Sequence, residues 1–81
     1  MNNFICYSCG FRIHDKQNAL IVIEKSFSGE YIAGFIVHKQ KCDDKLIAQI
    51  NKRRNNSNSS MELSAFNTDL ELMKYLETGK L

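Results

Sequence analysis

Residues 6–14 read CYSCGFRIH and residues 38–42 read HKQKC. Two cysteines separated by two residues, Cys6 and Cys9, can reach one metal ion from a single tight turn. Gly10 suits that turn, because the backbone must curl to aim its amides at the thiolates and glycine tolerates positive φ. A short knuckle of the form C-x2-C-x4-H-x4-C would use His14 and then need a cysteine at position 19, which is Ala19. The ligand set is instead completed downstream, by His38 and Cys42 in an H-x3-C pair 28 residues after the second cysteine. Cys6, Cys9, His38 and Cys42 then make a Cys3His set for one structural Zn2+.

Context favours His38 over His14. His38 closes the apolar run Tyr31–Val37, whereas His14 sits in a polar turn beside Asp15. Ala19–Phe27 and Tyr31–His38 read as two strands joined at Ser28-Gly29, so they form a hairpin with Ala19 opposite His38. Gly34 in the second strand marks a bulge or a close backbone approach. Cys42 then opens a helix. Asp43 and Asp44 suit its N-terminal end, Lys52, Arg53 and Arg54 its C-terminal end, and Leu46, Ile47 and Ile50 form its apolar stripe.

The chain has 81 residues, 43% of them hydrophobic and 25% charged, which describes one small folded unit rather than a disordered tail. So short a chain buries too little apolar surface to be comfortable without a staple. Structural zinc supplies about 10 to 16 kcal/mol in small finger peptides, comparable to the whole stability of a typical domain. Three cysteines, an odd number, argue against a secreted disulfide framework. No apolar run is long enough to cross a bilayer, and Met-Asn-Asn-Phe lacks the features of a secretory signal, so the expected location is cytoplasmic and away from the membrane.

Taken together, a glycine-terminated C-x2-C turn, a hairpin, and a second ligand pair at the hairpin's end and the next helix's start resemble the treble-clef zinc finger over residues 4 to 54. The resemblance implies an α+β fold: a small zinc-stabilised treble-clef-like domain of Cys knuckle, β-hairpin and helix. Small bacterial and phage proteins share this general pattern. Two departures are Tyr7 where a proline is common, and H-x3-C where C-x2-C is more usual. Fold is what the resemblance carries; treble clefs serve nucleases, ribosomal proteins, adaptors and transcription factors alike.

Residues 55–60, rich in Asn and Ser, read as a linker between a zinc module at 1–54 and a C-terminal segment at 61–81. That segment contains an added helix, with Thr68 and Glu71 as a capping box and Gly79 as its stop. A helix of about ten residues does not stand alone in water. Leu72, Tyr75 and Leu76 must therefore cover the hairpin or meet a partner, and the expectation is that residues 61–81 serve association more than metal holding.

The function expected from the sequence is a non-catalytic binding module that modulates a larger protein or complex, in the manner of a bacterial or phage regulator. Homo-oligomerisation stays open. An enzyme is not expected: four ligands close a zinc site, and there is no H-E-x-x-H and no phosphate-cradling glycine loop. The alternative is nucleic-acid binding through the basic helix, by Lys45, Lys52, Arg53 and Arg54. Residues 39–54 carry six basic and two acidic side chains, while residues 61–81 carry two and four.

Overall fold

In a computed structural model, residues 4–52 and 56–80 are described. Arg53 and Arg54, and the first residue of the expected linker, lie outside them. The described residues form a small α+β domain of two antiparallel sheets and two helices. Two short strands, β1 (Phe4–Ile5) and β2 (Arg12–Ile13), flank the cysteine turn and pair Phe4 with Ile13. After a 3-10 turn at Lys16–Asn18 come β3 (Ala19–Lys25), β4 (Tyr31–His38) and helix α1 (Lys41–Asn51). Strand β5 (Ser57–Glu62), a 3-10 turn at Leu63–Ala65 and helix α2 (Asp69–Thr78) complete the chain.

β3 and β4 form the expected hairpin, and Ala19 pairs with His38 as the turn position predicts. Its connection is longer than the two residues read from Ser28-Gly29. β3 ends at Lys25, and the Ser26 and Glu30 backbones close a loop in which Gly29 takes φ 89° and Phe27 projects into solvent.

The Asn/Ser stretch differs more. Residues 57–60, expected as linker, pair with β3 as the start of β5, giving a three-stranded sheet in the order β4-β3-β5. Composition misleads here because a polar strand needs only backbone partners on its inner edge. β3 supplies them, with Ile21 opposite Met61 and Ile23 opposite Ser59. The buried carboxylate of Glu24, on this central strand, accepts a 2.7 Å hydrogen bond from Asn56 just before β5.

Both sheet faces are covered. α2 lies on the face of Ile23 and Gly34, with the Leu76 carbonyl so close that a Cβ on Gly34 would sit 2.2 Å from it. Gly34 is thus the close approach, not a bulge. The Tyr31 hydroxyl donates to the same carbonyl at 2.9 Å. α1 covers the other face, burying Leu46 and Ile50. Ile21, Val22, Ile23, Val37, Leu46, Ile50 and Leu63 are fully enclosed.

α2 is capped as its sequence predicts. The Thr68 hydroxyl accepts the Glu71 amide, and Gly79 ends the helix at φ 70° with its amide on the Tyr75 carbonyl. Of the two alternatives for this segment, covering the hairpin or meeting a partner, the fold shows the first: Leu72 and Tyr75 are buried in the core and Leu76 packs against it, which leaves Leu72 and Tyr75 unavailable for the partner contact expected of them. The exposed sheet face offers them more apolar contact than solvent, at about 1.5–3 kcal/mol for a fully buried side chain of this size.

Candidate metal centre

The fold brings Cys6, Cys9, His38 and Cys42 together, with one donor atom of each within 4.8 Å of all the others. Cys6 and Cys9 stand on the turn between β1 and β2. The Gly10 amide donates to the Cys6 carbonyl at 2.9 Å, and Gly10 takes the positive φ of 78° that the curl requires. The turn docks on the outer edge of β4 through the Tyr7 amide and the Ile36 carbonyl. His38 ends β4 and Cys42 lies in the first turn of α1, as the spacing predicts. His14 is exposed and outside the cluster, in the polar turn that Asp15 caps by accepting the Gln17 amide.

The distances suit zinc. Bonds of about 2.3 Å to sulfur and 2.0 Å to nitrogen in a tetrahedron place donor atoms roughly 3.5–3.8 Å apart. His38 Nδ1 lies 3.5 Å from Cys9 Sγ and 3.9 Å from Cys42 Sγ, so Nδ1 is the nitrogen that faces the sulfurs. The four residues form one Cys3His group that fits a single structural zinc ion.

The electrostatics of the thiols point the same way. Burial by itself would raise the Cys6 thiol, but the backbone amides of His38, Cys9 and Ser8, together with the Cys9 side chain, outweigh it and bring the value from 9.0 to about 6. The His38 amide donates to Cys6 Sγ at 3.4 Å. Cys42 moves oppositely, to about 11, through burial first and then through the sulfurs and negative charge of Cys6 and Cys9. Three thiolates crowded this closely repel one another, and a divalent cation removes the repulsion.

Three supporting features escape a reading of the sequence. Ser8 donates its hydroxyl to the Cys42 carbonyl at 2.8 Å, tying the cysteine turn to α1. Gln40, between His38 and Cys42, adopts φ 66° and ψ −115°, a left-handed conformation strained for a residue with a Cβ. Asp43 turns one carboxylate oxygen inward without a hydrogen-bond partner among the described residues, and burial followed by the Asp44 charge raises its pKa. A serine between cysteines and a glutamine before a helix carry no sequence signal for these roles.

The basic residues expected on the zinc helix are placed in part: Lys45 and Lys52 are exposed along α1 and at its C-terminus. Among the described residues, no helix is long and apolar enough to cross a membrane. A scan of family models, a search of curated proteins and a search of solved structures find no match to this chain.

Proposed function

We propose that the protein is a non-catalytic binding module of treble-clef type, held together by one zinc ion, that acts by docking on a larger protein or complex as a regulator. The observation that carries this reading is the closed donor set. Cys6, Cys9, His38 and Cys42 supply four donors within 4.8 Å of one another, enough to complete a tetrahedral zinc site, whereas a catalytic zinc keeps a position for water or substrate. The cysteine turn, the hairpin's last residue and the first turn of α1 supply those donors, which is the treble-clef order. Because Leu72 and Tyr75 are spent on the core, the working surface is sought on the solvent side of α1 and its neighbourhood.

The test is affinity capture of the intact protein from its source cells, comparing the wild type with surface variants of α1 that retain zinc. Stoichiometric partners lost with those variants support the module. Turnover of a substrate that survives such variants but stops on metal removal overturns it.

A second reading, nucleic-acid binding through α1, is favoured by one observation. Lys41, Lys45 and Lys52 are exposed, and among the described residues none of them makes an ion pair. Lys16 and Lys39, by contrast, pair with Asp69 and Glu62.

A further inference from the structure

We infer that the solvent face of α1, with the neighbouring cysteine turn, binds the backbone of a single-stranded nucleic acid. Lys41, Lys45 and Lys52 hold phosphates and Phe11 offers a ring on which a base stacks. This rests on the second reading above and narrows it to one kind of strand.

At about 100° per residue, positions 41, 45, 48 and 52 fall within roughly 60° of one another on a helix. They are Lys41, Lys45, Ala48 and Lys52, all exposed, and the stripe they form points away from the buried Leu46 and Ile50. With a rise of about 1.5 Å per residue, the three ammonium groups span roughly 16 Å, enough for several successive phosphates. Asp44 is exposed but lies about 60° to one side, and Asp43 is half-buried with one oxygen turned inward. Arg53 and Arg54 continue the positive run along the chain.

The choice of a single strand comes from an exposed aromatic side chain on the cysteine turn. The Ser8–Cys42 hydrogen bond joins the cysteine turn to the start of α1, and that turn carries Phe11 at 73% exposure. An exposed phenylalanine on a turn tied to the start of a cationic helix has nothing to stack on in an intact duplex, whose base faces are covered. An unpaired strand presents both phosphates and base faces, the combination used by sequence-tolerant single-strand binders. The mount is rigid, because metal ligands fix both the turn and the first turn of α1.

The experiment titrates the zinc-loaded protein into a labelled single-stranded oligonucleotide of about 16 nucleotides, at the upper end of known site sizes, and follows anisotropy across a salt series. Replacing Lys41, Lys45 and Lys52 together by Ala should make the slope of log K against log salt shallower by about 2, since each single-strand phosphate contact contributes roughly 0.7. Phe11→Ala should weaken binding about 5- to 150-fold, the range for one stacked base, and leave the slope unchanged. All four positions are exposed, so zinc content and thermal unfolding should stay as in the wild type.

Binding to a matched duplex as tightly as to the single strand, with the same lysine dependence, overturns this inference while the nucleic-acid reading survives. Absence of binding to either form at low salt overturns both. A slope that the triple variant leaves unchanged removes α1 as the contact surface.

Discussion

At the scale of single residues, the choice between two histidines decides the centre. His38→Ala removes the nitrogen 3.5 Å from Cys9 Sγ, so the variant should lose zinc, measured by elemental analysis, and with it cooperative unfolding. His14→Ala alters an exposed polar turn and should retain both. Cys6 adds a pH dependence to the fold before metal binds. Its thiol is lowered from 9.0 to about 6, so the stability it contributes is fully present above 9 and is lost as pH falls through about 6. Zinc should dissociate on acidification, as protons compete for all the thiolates of the site; a chromogenic chelator in a pH titration follows the release. Gln40 is the strained link between the second pair of ligands. Gln40→Gly should raise stability by about 1 kcal/mol in denaturant titration, because glycine takes φ 66° without the penalty of a Cβ.

At the scale of elements, the legible parts of the sequence are those whose signals are local. The cysteine turn announces itself by spacing and Gly10, the hairpin by two apolar runs, and α2 by Thr68, Glu71 and Gly79. Ser57–Ser60 carry no apolar pattern, and their place in β5 is decided by the unpaired edge of β3, a tertiary fact. The same cause hides the fate of Leu72 and Tyr75, since their periodicity shows that they are buried but not by what. Truncation after Ser60 separates the two outcomes. It removes Met61 and Glu62 of β5 and the buried Leu63, Leu72 and Tyr75, so the shortened chain should lose cooperative unfolding in circular dichroism rather than persist as a zinc-bound module. Gly34→Ala tests the same packing with one methyl group. Its Cβ would meet the Leu76 backbone carbonyl at 2.2 Å, which a backbone shift must relieve at a cost of at least about 2 kcal/mol of stability in thermal or denaturant unfolding.

At the scale of the whole molecule, the metal joins parts that are distant in sequence, while the sheet does the same on the far side of the core. Zinc connects residues 6 and 9 to residues 38 and 42, and β3 connects the hairpin to residues 57–62. The candidate site was readable because metal chemistry leaves a strict spacing in the chain. The solvent face of α1 was only partly readable: charge gave Lys45 and Lys52, but Lys41 joins them only once the helix is known to start at position 41.

The central position of β3 has a consequence for motion. Its amides and carbonyls alternate between two partner strands, and Ile21, Val22 and Ile23 are enclosed on both faces. Opening β5 frees only those amides and carbonyls that face it, and the rest stay bonded until the hairpin itself opens. Deuterium uptake should therefore be slowest at those amides of Ile21–Ile23 that face β4, while β5, bonded on one edge only among the described residues, exchanges through smaller excursions. The order of protection along the chain then gives the order in which the parts let go, with the polar edge first and the strand between the two partners last.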